Sequence, residues 1–396
     1  MKKTLAALTS VAALAVAAPA VAQDQITLGI LLGFTGPVES LAPPIARSAE
    51  LAIEEVSESG LLLDGTTVAS ERGDSTCIDA AAATAAAERL VSAVGIAGIM
   101  GAMCSGATTA VLQNVALPNG IVMISPSATS PALSTIEDNG LFFRTAPSDA
   151  RQGQVIADIL ADRDVSEIAL TYTNNDYGKG LADAIQSSFE AAGGTVTISA
   201  PHEDGKGDYS AEVGALAAAG GEVLVVAGYL DQGGRGIIQG AVDTGAFETF
   251  FLPDGMIGQS IVDAIGDPLE GSYGSNPGGE SEGRTIFEEM AREAGFEPGV
   301  YAGEGYDAAA LILLAMQAAG STDPNVYKEH VMDVANAPGE VILPGELAKG
   351  LEILAAGGDI NYEGASAVEL IGPGESAGQY REIEVKDGAI ETVQFR

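Results

Sequence analysis

The sequence predicts two α/β lobes, each built on a doubly wound parallel sheet, facing one another across a cleft. Three observations carry this. From Gln25 the chain repeats a unit of short apolar run, Gly/Ser/Pro-rich turn and longer amphipathic stretch, the pattern of parallel strands covered by helices on both faces. The rhythm runs to about Arg144 and then restarts, which divides it between two bodies. Finally, 396 residues with 46% hydrophobic content, 51 Gly and no Trp give enough apolar material for two cores packed through small side chains.

Taken in order, Ile26–Leu32 is a short, mostly apolar run and reads as a strand, followed by a turn over Gly33–Pro37. Ala42–Ser59 places Ile45, Ala49, Ala52, Ile53 and Val56 at helical spacing. Ala80–Val91 predicts a second helix, Gly95–Met100 a buried strand, Ser105–Leu117 a helix and Ile121–Ile124 a strand. In the second body Glu167–Tyr172, Thr195–Ser199, Glu222–Val226 and Thr249–Leu252 predict strands. Helices are expected between them over Tyr177–Ala192, Ser210–Ala219 and Gly236–Thr244. Gly271–Gly283 carries five glycines and Pro277 and reads as a connection between bodies. Ile286–Ala294 and Gly305–Ala319 predict helices, and Glu382–Phe395 a hairpin turning at Lys386-Asp387-Gly388.

The first 22 residues read as a signal peptide: Lys2 and Lys3, an uncharged apolar stretch over Leu5–Ala18, then Ala20-Val21-Ala22 before a mature start at Gln23. Cleavage there removes two lysines and takes the formal charge from −37 to −39. Fifty-five acidic against 18 basic residues argue against nucleic acid and anionic lipid as partners, because both are bound through Lys and Arg. No later stretch is apolar enough to span a bilayer. An exported protein with two cysteines, Cys77 and Cys104, leaves two readings, a disulfide or two buried thiols, and the oxidising compartment favours the first. With two His and two Cys, neither a metal centre nor a bound cofactor is expected.

In open parallel sheets ligands sit beyond the carboxyl ends of strands. Met103–Thr108 and Ser125–Thr129 are hydroxyl-rich loops of small residues at such ends, suited to holding a carboxylate through hydroxyls, backbone N–H groups and a helix N-terminus. Each of these residues also has an ordinary use as a cap or turn. Asp254 follows an apolar strand and offers the opposite sign, suited to a ligand ammonium. Tyr177, Tyr229, Tyr301 and Tyr306 are candidates for the cleft walls. Catalytic patterns are weak: Gly303–Ala308 fits a loose dinucleotide fingerprint without a strand before it, and no nucleophile elbow or His-Glu-x-x-His occurs.

Seven segments in order resemble the periplasmic branched-chain amino acid binding proteins that feed ABC importers. They are Thr35-Gly36-Pro37; Asp74 with Cys77; Cys104–Thr108; Ser125–Thr129; Asn175–Gly180; Gly228-Tyr229; and Pro253-Asp254-Gly255. The resemblance implies the type I periplasmic-binding fold, two lobes that close like a flytrap on three hinges near Arg144–Pro147, Ser275–Gly278 and Gly374–Gly378. It implies a signal peptide over residues 1–22, an N-terminal lobe over 23–145 and 277–375, and a C-terminal lobe over 146–276 and 376–396. By the same resemblance Ser105 and Thr129 hold the ligand carboxylate. The Ser127 carbonyl, beside Ala128, receives the ammonium together with Asp254, while Tyr177, Tyr229 and Tyr301 surround the ligand. Cys77 and Cys104 match the family's disulfide.

Three departures bear on the ligand. Leu41 stands where leucine binders often carry an aromatic residue, Gly303 where they carry a larger one, and Asp254 is one methylene shorter than their usual Glu. The expected function is therefore a monomeric periplasmic receptor for a small apolar α-amino acid, delivering to a membrane permease and performing no catalysis. The alternatives are the same fold binding an amide, urea or an aromatic carboxylate, and, from another class, an exported hydrolase using carboxylates alone.

Overall fold

The computed structural model describes residues 24–396, so the signal-peptide expectation lies outside the described residues. The first sheet is built from β1 Gln25–Leu32, β2 Thr67–Asp74, β3 Gly98–Gly101, β4 Met123–Ser125 and β5 Phe142–Arg144. The second comprises β6 Glu167–Thr173, β7 Thr195–His202, β8 Val223–Ala227, β9 Phe250–Pro253 and β10 Tyr273–Pro277. A two-stranded piece, β11 Glu340–Ile342 with β12 Ile360–Tyr362, follows. Next, β13 Leu370–Ile371 and β14 Glu375–Ser376 extend the edge of the first sheet, and β15 Tyr380–Lys386 with β16 Ala389–Phe395 extend the second.

The strand orders are β13-β14-β5-β4-β3-β1-β2 and β16-β15-β10-β9-β8-β6-β7. Each has a core of five parallel strands in the same doubly wound order, reversing between β1 and β3 and between β6 and β8. Ligand loops belong at those reversals. The sheets are not parallel throughout: β13 runs against β14, and β15 runs against both β10 and β16. The two-lobed α/β architecture expected from the sequence is the architecture observed.

Several elements differ from expectation for physical reasons. The strand expected from Gly95 begins at Gly98, because Gly95 at φ 77° ends the preceding helical run by donating to the Leu90 carbonyl. Gly271–Gly283 is only partly a connection: Tyr273–Pro277 is a fully buried strand. There a Cβ on Gly274 would lie 1.9 Å from the Leu252 carbonyl oxygen, so glycine is what lets β10 approach β9. The terminal hairpin forms as expected, with Asp387 at φ 50° and Gly388 at φ 73° supplying a turn of the twist that hairpins favour. The helix Ala302–Ala319 is apolar nearly all round and lies buried between the helix Ala42–Ser59 and strands β3 and β4.

The chain passes between the sheets after β5, after β10 and before β15. Arg144, 1% exposed, anchors the first passage: it donates to the carbonyls of Ala128 (2.9 Å) and Ser130 (3.0 Å) and to Ser134 Oγ (2.7 Å), and pairs with Glu375 beside the third. A Cβ on Gly378 would come within 2.3 Å of Pro147 Cβ, so these two passages pack directly together. Among the described residues no helix is long and apolar enough to cross a membrane.

Candidate functional site

The carboxyl ends of the two sheets face each other, and their loops bring most of the expected residues into one pocket. Val38, Leu41, Met103, Cys104, Ser105 and Ser127 line it from the first lobe with Tyr301; Tyr177, Tyr229, Asp254 and Gly255 line it from the second. In this closed state the pocket has about 20 Å³ of free space, room for about one water.

On the first lobe the loops after β3 and β4 are tied to each other. Ser125 Oγ donates to the Ala102 carbonyl (2.6 Å) and accepts from Ala128 N (3.0 Å); Ser127 Oγ donates to the Met103 carbonyl (2.9 Å); Ser105 Oγ accepts from Ser130 N (3.1 Å). Ser105 opens a helical run just after Cys104, which is bridged to Cys77 as the family resemblance implied. Ala128 and Thr129 lie behind this wall rather than in it: Arg144 takes the Ala128 carbonyl, and Thr129 is fully buried with its hydroxyl unpartnered among the described residues.

On the second lobe Asp254 follows β9 and is 2% exposed. Tyr177 OH donates to Oδ1 (2.8 Å) and Tyr301 OH, reaching from the first lobe, to Oδ2 (2.6 Å). Tyr177 lies in the first turn of the helix capped by Asn175, and its ring stacks on Tyr229 with centroids 5.1 Å apart. Tyr301 sits at φ 64°, a left-handed conformation that costs a non-glycine residue about 1 kcal/mol or more and that clusters at ligand sites. Burial raises the pKa of Asp254 above the usual carboxylate range, while the tyrosine hydroxyls pull it back.

The sequence reading missed Asp149. It is fully buried at the start of the helix Asp149–Asp162, with both carboxylate oxygens unpartnered among the described residues. Burial first, then the charge of Asp254, raises its pKa well above the ordinary range, so this pair of acids favours holding a proton. In the sequence it is indistinguishable from an acidic residue after the cap Ser148. Tyr306, a candidate for the cleft wall, instead lies inside the first lobe and donates to Glu55. His202 is 1% exposed beside Thr171 Oγ1, and burial lowers its pKa to about 4, so it is a neutral structural group.

Glu304, 6% exposed near the cleft, accepts no hydrogen bond from another residue among the described ones, and burial lifts its pKa to about 7. A raised carboxyl pKa contributes stability that is complete below about pH 4 and disappears as pH rises through 7. Ionising Glu304 costs the fold about 3 kcal/mol relative to the unfolded chain. Thermal unfolding should therefore show a midpoint that falls from pH 5 to pH 8, and a smaller fall in Glu304→Gln. Equal slopes for the two proteins would show that Glu304 does not contribute.

The model of the periplasmic binding protein family matches residues 25–335. A Leu/Ile/Val-binding protein homolog from Brucella melitensis is 31% identical over 330 residues, 82% of this chain and 86% of that one. In structure the chain is similar to a leucine-binding protein from Thermotoga maritima, at TM-score 0.78 and 20% identity over 93% of this chain and 98% of that one. It is also similar to a branched-chain amino acid transporter substrate-binding protein from Streptococcus pneumoniae solved with isoleucine, at TM-score 0.76 and 20% identity over 93% and 99%.

Proposed function

This chain belongs to the periplasmic binding protein family, and on that footing we propose that it captures an α-amino acid with a small apolar side chain and delivers it to an ABC permease. The family works in the periplasm and binds solutes without converting them, so the hydrolase alternative falls away. The observation that carries the ligand class is Asp254, a buried carboxylate held between two tyrosine hydroxyls and lining one small pocket with Ser105 at a helix start on the other lobe. That arrangement is complementary to an ammonium and a carboxylate on one carbon. Ser105 and the backbone N–H groups of its helix start take the carboxylate, with Thr129 behind them; Asp254 and the Ser127 carbonyl take the ammonium. Val38, Leu41 and Met103 supply the apolar contact, with Tyr177, Tyr229 and Tyr301 around the rest.

Because the pocket draws on both lobes, a ligand touching both favours the closed state by differential affinity. The lobes, residues 23–145 with 277–375 and 146–276 with 376–396, move about the three passages. The protein acts as a monomer, does not bind nucleic acid, and is released from its signal peptide after Ala22. An aromatic carboxylate, an amide or urea would leave Asp254 without a cation in a buried site, which disfavours them. A thermal-shift screen is expected to show the largest rise in midpoint with L-leucine, L-isoleucine or L-valine, and none with their decarboxylated or deaminated analogues. A rise with benzoate or urea and none with amino acids would overturn this reading.

A further inference from the structure

In a chain with 55 acidic residues, basic groups rarely lack a partner. Among the described residues every Lys and Arg except Arg151, Arg235 and Arg381 has a carboxylate within 4.0 Å. Arg151 and Arg235 are exposed, so solvent serves them. Arg381 is half-buried, and its Nε (3.2 Å) and Nη2 (3.1 Å) both donate to one neutral acceptor, Asn276 Oδ1. Burial and the neighbouring Arg284 lower its pKa to about 10, which leaves it fully charged at neutral pH. Across the cleft, Glu304 is its complement, a buried carboxyl that no other residue hydrogen-bonds among the described ones.

Both groups line a cavity of about 900 Å³ between the lobes, within the range of small-molecule sites. Leu41 and Tyr301 line this cavity and the inner pocket alike, so the two adjoin at those side chains. Gly303, which has no side chain to fill it, borders the cavity as well. Arg381 lies on β15 of the second sheet, and Glu304 in the first turn of the helix Ala302–Ala319 on the first, so the two charges approach an occupant from opposite lobes. A guanidinium not paired to a carboxylate matches a carboxylate, and a buried carboxyl served only by its own backbone N–H matches an ammonium.

We propose that Arg381 and Glu304 form a second recognition subsite for the zwitterionic far end of an extended ligand, so that the cleft accepts molecules carrying an α-amino acid group at each end. This rests on the preceding reading for the near end of the ligand: its side chain leaves the inner pocket past Leu41 and Gly303 and presents its second carboxylate to Arg381 and its second ammonium to Glu304. L-leucine uses the inner pocket alone.

Calorimetry on the mature chain tests this with L-leucine, L-2-aminoadipate (far carboxylate only), L-lysine (far ammonium only), LL-diaminopimelate and L-cystine. Diaminopimelate or cystine is expected to bind roughly tenfold or more tighter than aminoadipate or lysine, as two extra charge-assisted contacts would give. Arg381→Met should remove that gain and weaken aminoadipate. Glu304→Gln should remove it and leave aminoadipate unchanged. Leucine affinity should stay within about twofold in both variants, which also reports that they fold. If the extended ligands bind no better than the one-ended ones, the subsite is refuted while leucine binding upholds the near-end reading. If both substitutions weaken leucine equally, Arg381 and Glu304 are a latch between lobes and the subsite is refuted. If adipate binds Arg381-dependently and no amino acid binds, the near-end reading fails alone.

Discussion

Asp254→Ala is expected to weaken amino-acid binding by about 2–5 kcal/mol, a loss of at least tenfold, the cost of removing one partner of a desolvated charge pair. Asp254 is 2% exposed and both its oxygens already receive a tyrosine hydroxyl, so its geometry is set before a ligand arrives. An ammonium entering this space gives up its hydration and meets a fixed acceptor; with alanine it meets two hydroxyls whose own acceptor has gone. Because that loss also disturbs the fold, Asp254→Asn is the second variant. It keeps the volume and one acceptor oxygen but not the charge, and is expected to lose affinity similarly with a smaller fall in melting temperature. Ser105→Ala provides the contrast at about 1 kcal/mol, since backbone donors at the same helix start remain. Calorimetry giving full affinity in both Asp254 variants would remove this residue from the site.

What the sequence discloses and what it hides divide along a physical line. Buried central strands such as β1, β6 and β8 carry apolar stretches because helices cover both faces, and they are legible from local pattern alone. β2 is not, because it is an edge strand carrying Ser70, Glu71, Arg72 and Asp74. β5 has three residues and β10 lies among glycines chosen for close approach to β9, so neither shows periodicity. Within the site, Ser105, Ser127 and Asp254 are visible because loops at strand ends are where parallel sheets place ligands. Arg381, Glu304 and Asp149 are invisible for the opposite reason. Their significance is the absence of a partner, and whether a charge is paired is decided by segments up to about a hundred residues away. Tyr306 reads like Tyr301 in sequence, and only the start of the helix Ala302–Ala319 separates one that meets Asp254 from one that meets Glu55.

Removing the disulfide is expected to cost about 3–4 kcal/mol of folding stability, the chain-entropy value for a separation of 27 residues. The site should suffer as well, because the bridge joins two loops of the first lobe that shape the pocket. Cys104 directly precedes Ser105, and Cys77 lies in a loop where Thr76 at φ 54° and Cys77 at φ 66° are both left-handed, a conformation costing each about 1 kcal/mol or more unless the surroundings impose it. The loop after β1 is packed against that segment so closely that a Cβ on Gly36 would lie 2.4 Å from the Thr76 carbonyl oxygen, and one on Gly33 2.6 Å from Cys77 Sγ. Leu41 follows from this loop. Releasing Cys77 therefore frees two left-handed residues to relax, and with them the support beneath both Leu41 and Ser105. The Cys77→Ala/Cys104→Ala double variant should unfold at a lower urea concentration, and its amino-acid affinity should fall by about the margin of Ser105→Ala, whereas Asp254 on the other lobe keeps its contribution. An unchanged urea midpoint would refute the stability argument. A lowered midpoint with unchanged affinity would show that β3 and the Ser125–Ser130 contacts hold Ser105 in place without the bridge.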